Sequence, residues 1–408
     1  MEEKHLTRAI LIGADTGEYD AESSMDELSE LAKTAGAEEL ARVLQKREAY
    51  EPATVIGEGK LAEVKELCGS LGAELLIFDC ELTASQIRNV EDETDVRVID
   101  RTMLILDIFA GRAVSREGKL QVELAQLKYR LPRLMGIGAS LSRLGGGIGT
   151  RGPGETQLET DRRHIRRRID KLSAELKELE ERRGYARDRR KKDSVQVGAI
   201  VGYTNAGKST LLNLLTGADV LAEDKLFATL DPTSRAIELP DGRSLLLVDT
   251  VGLIRRLPHH LVEAFKSTLE EAAFADVIVK VADAGDAQAA EQLAVTDEVL
   301  GSLDCADIPQ LVVYNKCDTA NAVAFDPDIL LTSAKTGYGL PALLAKLDEV
   351  LNHRVRTIEI VLPYDKLALA DILRSRGSVA AEEYREDGVY YRATVKIDDL
   401  HRFEEFLV

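Results

Sequence analysis

The distribution of apolar residues along the 408-residue chain changes several times. In the first hundred residues, short apolar runs at 6–12, 54–56, 75–78 and 96–99 are separated by amphipathic stretches. Strands that alternate with helices in this way predict a small, largely parallel α/β domain that ends near residue 110. The longest amphipathic stretch, 24–46, has its apolar and charged residues at helical spacing, and we expect a helix there.

Two later segments, 115–134 and 158–179, repeat apolar residues at intervals of three and four, which is typical of amphipathic helices with a coiled-coil-like seam. The stretch between them, 135–154, is dense in glycine, which breaks helices. We therefore predict a helical hairpin with a flexible basic tip. Its second helix, near 29 residues, would be about 40 Å long, and the charged residues 187–194 would form a linker.

The rest of the chain again alternates strands with helices. This pattern covers 195–350, and 356–408 follows as a strand, a helix, two strands and a short final helix. The fold class predicted is α/β, in which the 195–350 pattern forms a doubly wound, mostly parallel sheet. The expected domains are an N-terminal α/β domain (1–112), the helical hairpin (113–193), a domain built on the doubly wound sheet (194–353) and a small C-terminal α+β domain (354–408).

Charge is distributed unevenly along the chain. The formal net charge is −18, yet residues 112–192 hold 22 Lys and Arg against 11 Asp and Glu, a net of +11. The remaining residues hold 31 basic and 60 acidic side chains, a net of −29. This asymmetry predicts that one segment binds a negative partner such as a phosphate backbone. The alternative is a solvated helix face whose arginines pair with neighbouring glutamates.

Several classes of protein do not fit the composition. No apolar run reaches the roughly 18–20 residues that span a bilayer, and the acidic start does not resemble a signal peptide. The four cysteines form no CxxC pair, so we expect reduced thiols and a cytoplasmic location. The six histidines form no HExxH pattern, which makes a zinc hydrolase a poor fit.

The strongest signal in the sequence is the motif GxxxxGK[ST], which follows an apolar strand at 195–201 and opens a helix. In such a loop the backbone N–H groups surround phosphate oxygens, and the helix N-terminus adds a favourable dipole. Lys208 would hold the β- and γ-phosphates, and Ser209 Oγ would bind Mg²⁺. The residues assigned to phosphate binding are Gly202, Tyr203, Thr204, Asn205, Ala206, Gly207, Lys208, Ser209 and Thr210.

Three further motifs each follow an apolar run, in the order that a GTPase requires. They are Asp249-Thr250-Val251-Gly252, Asn315-Lys316-Cys317-Asp318 and Ser333-Ala334-Lys335. Asp249 can hold Mg²⁺ through water, and the Gly252 N–H can meet the γ-phosphate. A buried carboxylate at Asp318 can accept from guanine N1–H and its amine, which adenine cannot match. The Ala334 N–H would donate to guanine O6, the Lys316 stem would cover the base, and Asn315 would brace the phosphate loop.

A second protein ligand for Mg²⁺ should come from a mobile loop between the phosphate loop and Asp249. The segment 227–233 supplies two candidates, Thr229 and Thr233, and spacing alone does not separate them.

With these residues the chain resembles the HflX family of GTPases, within the translation-factor-related P-loop class. The resemblance covers roughly 1–350 and rests on three stretches, GGGIGTRGPGE at 145–155 with the QLE and DRR that follow, FATLDPT at 227–233, and DTVG at 249–252. Its most specific part is the glycine-rich signature. One position departs from the family pattern, because Leu253 stands where phenylalanine is usual.

The resemblance implies a GTPase that binds the large (50S) ribosomal subunit and its rRNA and acts in ribosome splitting or rescue, recycling or biogenesis. It implies GTP/GDP and Mg²⁺ as ligands, with Ser209 and Thr229 on the metal, and favours Thr229 over Thr233. The nucleotide-binding residues of the 227–233 loop would be Phe227, Ala228, Thr229, Leu230 and Asp231. We expect a monomer in which Lys208, Thr229 and Gly252 serve catalysis.

Two questions about mechanism stay open at this stage. Leu253 cannot hydrogen-bond the attacking water as the glutamine of Ras-like enzymes does, so we expect slow intrinsic hydrolysis. Asn205 stands where some related GTPases hold K⁺, although it could instead bond within its own loop. The competing hypothesis for function is a nucleotide-gated ribosome-binding module in which hydrolysis is incidental.

Overall fold

The structure is a computed structural model that describes residues 6–141, 153–192, 195–217, 226–256, 258, 261, 269–319, 329–352 and 355–408. Arg151 and most of the glycine-rich signature lie outside these residues. The chain forms two compact units. The first contains Met1–Glu178, Asp224–Leu230 and Arg255–Phe265, and the second contains Leu179–Glu223, Asp231–Ile254 and Lys266–Val408.

The N-terminal part is a four-stranded parallel sheet in the order β2-β1-β3-β4, with helices between the strands. Apolar side chains of β1 and β3, such as Ile10, Ile12 and Phe78, are fully buried in its core. The elements are β1 (Thr7–Asp15), α1 (Ala21–Ala35), β2 (Ala37–Lys46), α2 (Glu58–Leu71), β3 (Leu75–Phe78), α3 (Ala84–Thr94), β4 (Arg97–Asp100) and α4 (Arg101–Arg112). The predicted α/β fold is confirmed.

The expectation of one helix over 24–46 is wrong. Helix α1 ends at Ala35, and Gly36 follows with a φ of +85° while its N–H bonds the carbonyls of Ala32 and Lys33. A left-handed glycine is the usual end of a helix. The next ten residues form β2, which pairs in parallel with β1.

The predicted helical hairpin is built from α5 (Arg116–Leu141) and α6 (Pro153–Lys192). The two helices are antiparallel, because Arg168 donates two 2.7 Å hydrogen bonds to Glu123 while Arg116 pairs with Glu175 at 3.4 Å. Helix α6 has 40 residues and is therefore about 60 Å long. Residues 187–192 belong to this helix, so the expectation of a linker over 187–194 is wrong for 187–192.

Helix α5 is fixed to the carboxyl end of β4 by polar contacts. The Tyr129 hydroxyl donates to Asp100 Oδ2 at 2.5 Å, and Arg133 pairs with the same carboxylate at 3.1 Å. Arg133 also donates to the Leu82 carbonyl. Since Asp100 is fully buried, these bonds satisfy a carboxylate that would otherwise be costly.

The nucleotide-binding part is a six-stranded sheet in the order β10-β9-β8-β5-β7-β6, parallel except for β6. Because the parallel strands have a common direction, the carboxyl ends of β5, β7, β8 and β9 lie at one edge. The elements are β5 (Gln196–Gly202), α7 (Lys208–Thr216), β6 (Thr233–Glu238), β7 (Ser244–Asp249), β8 (Val277–Asp283), α8 (Ala289–Ser302), β9 (Gln310–Asn315), β10 (Leu330–Leu331) and α9 (Leu340–Asn352).

The C-terminal residues form a small module of the predicted order. Three antiparallel strands in the order β11-β13-β12 bury one face, including Tyr391, against a helix and the last residues of the chain. Its elements are β11 (Val355–Leu362), α10 (Ala368–Arg376), β12 (Ser378–Arg385), β13 (Gly388–Lys396) and α11 (Ile397–Leu400).

Within the described part of the chain, none of the helices combines the length and the apolar composition that a membrane crossing requires. The division into segments at residues 112, 193 and 353 stays a prediction.

Candidate nucleotide-binding site

The glycines of the phosphate loop allow close backbone approaches. Gly202, the last residue of β5, has a φ of +157°, and a Cβ there would lie 2.2 Å from the Val281 carbonyl oxygen. Gly207 has a φ of +89° at the N-cap of α7, where a Cβ would lie 2.3 Å from Asn315 Nδ2. A side chain at either position would displace a neighbouring strand end.

Lys208 lies in the first turn of α7, and its ammonium group is buried under the loop. Nζ donates to the carbonyls of Gly202 at 3.0 Å and Tyr203 at 2.7 Å. Burial lowers the pKa of Lys208 to about 8, and the Asp249 carboxylate opposes this shift. The loop therefore concentrates a cation and the α7 N-terminus at one point, which suits a phosphate chain.

Ser209 and Asp249 form an all-oxygen pair beside the loop. Ser209 Oγ donates to Asp249 Oδ2 at 2.6 Å, and Asp249 is buried at the end of β7. A hydroxyl and a carboxylate are the hard oxygen donors that Mg²⁺ prefers, so these residues fit that ion.

The residues that follow Asp249 lie against the phosphate loop. The Thr204 N–H donates to the Leu253 carbonyl at 2.7 Å, and the Leu253 N–H donates to the Gly202 carbonyl at 3.1 Å. A Cβ on Gly252 would lie 2.9 Å from Thr204 Cα and 3.2 Å from Lys208 Nζ. The structure thus brings Gly252 close to Thr204 and to Lys208, the residue predicted to hold the γ-phosphate.

Asn315, at the end of β9, connects the phosphate loop to the predicted base-binding motifs. Its Nδ2 donates to the Ala206 carbonyl at 3.0 Å, and its Oδ1 accepts from the Ala334 N–H at 2.9 Å. The first contact is the bracing role expected of Asn315. The second is unexpected, because the Ala334 amide already has a partner and would have to exchange it for guanine O6.

Asp318 and Lys316 are positioned by neighbouring side chains. Ser333 Oγ donates to Asp318 Oδ1 at 2.7 Å, and this bond lowers the pKa of the Asp318 carboxyl. Lys316 Nζ pairs at 2.9 Å with Asp283 Oδ2, a residue that sequence reasoning missed. Asp318 is exposed rather than buried, since it lies in the loop beyond the end of β9. It remains ionised and able to accept two hydrogen bonds.

The two candidate threonines for Mg²⁺ have different local structures. Thr233 is the first residue of β6 and pairs with Asp249 in the antiparallel ladder. Thr229 lies outside any strand, in a segment that belongs to the first compact unit. There Phe227 packs edge-on against Phe109, with ring centroids 4.5 Å apart. The assignment of Thr229 to the metal stays a prediction.

Sequence reasoning also missed the polar contacts of the residues just after Leu253. Arg256 donates to Asp79 Oδ2 at 3.0 Å, to Ser24 Oγ at 3.1 Å and to the Asp79 carbonyl at 3.0 Å. Its guanidinium also lies 3.9 Å from the centroid of the Tyr19 ring. All of these residues belong to the first compact unit. Only the positive charge of Arg256, just beyond DTVG, could have drawn attention to it.

Three family models match consecutive parts of the chain. A model of the "GTP-binding GTPase N-terminal" region matches residues 22–110, and one of the "GTP-binding GTPase Middle Region" matches 112–190. A model described as "50S ribosome-binding GTPase" matches 197–316.

Full-length relatives agree with these matches. The chain is 51% identical to GTPase HflX of Lacrimispora saccharolytica, over 95% of this chain and 93% of that protein. The chain belongs to the HflX family of GTPases. It is also 44% identical to GTPase HflX of Escherichia coli over 89% of this chain and 87% of that one. As an HflX protein, it binds guanine nucleotides and hydrolyses GTP.

A solved structure also matches the HflX chain. A GTP-binding protein from Sulfolobus solfataricus in complex with GDP is 26% identical, with a TM-score of 0.45 over 85% of this chain and 99% of that one. At this TM-score the likeness adds nothing to the family assignment.

The buried lysine predicts a pH dependence of nucleotide affinity. Because the pKa of Lys208 is about 8 before binding and phosphate oxygens would raise it, binding above pH 8 must take up a proton. We expect the Kd for GDP to rise about fivefold between pH 7 and pH 8.8. Titration calorimetry in buffers of different ionisation enthalpy would detect the proton uptake.

The matched control for this experiment is Lys208→Arg, because a guanidinium stays charged over the whole window. Its affinity should be lower throughout but nearly independent of pH. An equally flat profile for the unmodified protein would contradict the prediction.

Proposed function

We propose that this HflX protein is a GTP-driven factor that binds the large ribosomal subunit and splits or rescues stalled ribosomes, with nucleotide state controlling its contacts with rRNA. The observation that carries the proposal is the combination of a guanine-nucleotide site with a long arginine-rich helix in one chain. The description of the matched family model, a 50S ribosome-binding GTPase, supports the choice of partner. We further propose a monomer that acts in the cytoplasm.

The arginines of α6 support binding to phosphates. Arg162 pairs with Glu159, and Arg168 pairs with Glu123 on α5. The other three arginines of this cluster are exposed and have no ion pair within the described residues. They are Arg163, Arg166 and Arg167.

These three arginines share one side of α6. At 100° per residue they fall within an arc of about 100°, which also contains the acidic residues Glu159 and Asp170, about one turn to either side. Arg162, Arg163, Arg166, Arg167 and Arg168 together surround the helix, but those without a partner share one face. We call Arg163, Arg166 and Arg167 the arginine face. With no aromatic residue among them, recognition of phosphate and RNA shape is favoured over base stacking.

A route from nucleotide to the N-terminal domain is supported by the segment after DTVG. Gly252 and Leu253 contact the phosphate loop, while Arg255 and Arg256 bond to residues of the N-terminal domain. The Arg255 carbonyl accepts a 3.0 Å hydrogen bond from Arg101, which is itself buried and paired with Asp79 at 2.8 Å. A change in the DTVG segment on binding GTP would pull on these bonds through the chain, which is how such segments act as switches.

The residues assigned to catalysis define the hydrolysis step. Water oxygen bonds to the γ-phosphorus while the bond to the bridging oxygen breaks, which releases GDP and phosphate. We propose that Lys208 and the Gly252 N–H bind γ-phosphate oxygens, and that Ser209 and Thr229 hold Mg²⁺. When bound, that ion would neutralise charge on the β- and γ-phosphates. Leu253 is 1% exposed and cannot orient water, so hydrolysis should be slow without a partner.

The test of the proposed function compares GTP with a nonhydrolysable analogue. We expect the 50S subunit to accelerate GTP hydrolysis, and limiting protein to split many 70S ribosomes with GTP but about one per molecule with the analogue. Light scattering measures splitting and phosphate release measures turnover. Equal turnover with and without 50S subunits would contradict the role of the partner. Equal splitting yields with GTP and the analogue would favour a nucleotide-gated binding module.

Charge reversal tests the arginine face. The triple variant Arg163→Glu, Arg166→Glu and Arg167→Glu should weaken cosedimentation with 50S subunits at least tenfold and leave GDP affinity unchanged. It should also reduce the slope of log K against log salt by roughly 2 to 3, because each phosphate contact contributes about one unit.

The matched control reverses three lysines of the N-terminal domain, each already paired with a glutamate. Lys33→Glu, Lys60→Glu and Lys65→Glu change the net charge by the same amount. This variant should bind 50S subunits nearly as the unmodified protein does. Equal weakening of both variants would mean that net charge alone, and not the arginine face, determines binding to 50S subunits.

A K⁺ site at Asn205 is a further part of the proposal. Asn205 is exposed, and its side chain has no hydrogen bond among the described residues. Its backbone is left-handed, with a φ of 61°. The structure therefore does not show the alternative, in which the Asn205 side chain bonds within its own loop. We expect GTP hydrolysis to be several-fold faster in K⁺ than in Na⁺, and Asn205→Ala to remove the difference. Equal rates in the two salts would rule it out.

A further inference from the structure

The hydroxyl of Thr204 is a polar group of the phosphate loop to which the proposed mechanism gives no role. Thr204 is 7% exposed, and its Oγ1 is buried with no hydrogen-bond partner in the described structure. A buried hydroxyl without a partner costs stability. Such groups in a folded protein call for an explanation, and catalysis is a common one.

The surroundings of Thr204 point to the terminal phosphate. Its Cγ2 and Cα lie 2.6 Å and 2.9 Å from the position of a Cβ on Gly252, and Lys208 Nζ lies 3.2 Å from the same position. Lys208 and Gly252 are the two groups assigned to the γ-phosphate. Thr204 therefore adjoins both of them at one place.

Thr204 is covered by the segment that follows Asp249. Gly252 and Leu253 lie against Thr204, and two backbone hydrogen bonds, from Thr204 to Leu253 and from Leu253 to Gly202, connect the segment to the loop. A phosphate oxygen bound to the Gly252 N–H would therefore lie next to Thr204, and a small shift of this segment would expose Thr204 Oγ1 to it.

The side chain of Leu253 offers no hydrogen bond at the γ-phosphate, because it is purely apolar. A threonine hydroxyl can donate one hydrogen bond to a phosphate oxygen, and bonds to charged groups are the stronger kind.

We propose that Thr204 Oγ1 donates a hydrogen bond to a γ-phosphate oxygen, so that it distinguishes GTP from GDP and stabilises the transition state of hydrolysis. The inference rests on the proposed placement of the γ-phosphate near Gly252. It assigns to this side chain a specific contact that backbone binding of the α- and β-phosphates does not require.

The test is the isosteric change Thr204→Val, with Thr204→Ser to restore the hydroxyl. Thr204→Val should lower kcat of GTP hydrolysis about 10- to 100-fold, as expected for a lost bond to a charged group. It should weaken binding of a nonhydrolysable GTP analogue but leave the Kd for GDP unchanged. Thr204→Ser should recover most of kcat.

Thermal stability without added nucleotide separates this role from a structural one. Because Thr204→Val removes a buried hydroxyl that lacks a partner, it should leave Tm unchanged or raise it. The control Thr296→Val, in α8, removes a buried hydroxyl that bonds the Gln292 carbonyl at 2.8 Å. This control should lower Tm and leave hydrolysis intact.

Three results would overturn the inference: unchanged kcat in Thr204→Val, a parallel loss of GDP affinity and Tm, or no recovery in Thr204→Ser. Failure of the proposed function would give a different result. The unmodified protein would then itself fail to hydrolyse GTP faster with 50S subunits or to split ribosomes.

Discussion

The parallel pairing of β5 with strands on both sides is the constraint on which the nucleotide site depends. Ile200 is opposite Asp249 on β7, and Gly202 is opposite Val281 on β8. Asp283 is in turn opposite Asn315 on β9. This register brings the phosphate loop, the DTVG segment and the base-binding motif to the same edge, although more than a hundred residues separate the first from the last. A shift of one residue in any pairing would separate the groups and expose a buried face.

A small number of close contacts then holds these strand ends in position. Gly202 is tight against Val281, and Gly207 against the Asn315 amide, so both approaches require a residue without Cβ. Asn315 joins the Ala206 carbonyl to the Ala334 amide and so connects the phosphate loop to the two base-binding motifs. An asparagine suits this position because its side chain offers a donor and an acceptor at once. The sheet therefore brings the parts of the site together, and the Asn315 side-chain amide links the phosphate loop to the base-binding motifs.

The features that could be predicted from sequence are those encoded locally. The phosphate loop between β5 and α7, the order of the strand-end motifs and the C-terminal module each follow from periodicity and glycine placement within a few residues. The helix expected over 24–46 was wrong because the apolar positions beyond Gly36 fit both periodicities. These residues form strand β2 because the left-handed Gly36 ends the helix and because they pair with β1. The partners of Ala334, Lys316 and Arg256 could not be predicted, because they depend on residues distant in sequence that only the fold brings together.

The distribution of charge makes the arginine face more selective than its size suggests. The chain outside 112–192 carries a net charge of −29, which repels a polyanion from most directions. Pairing within the protein has already neutralised Arg162, Arg168 and Arg116. Among the arginines at 162–168, those without an ion pair in the described structure share one side of α6, so they would orient an approaching RNA as well as attract it. Net charge alone would have excluded a nucleic-acid partner, and the basic count of 112–192 alone would have overstated the surface available to it.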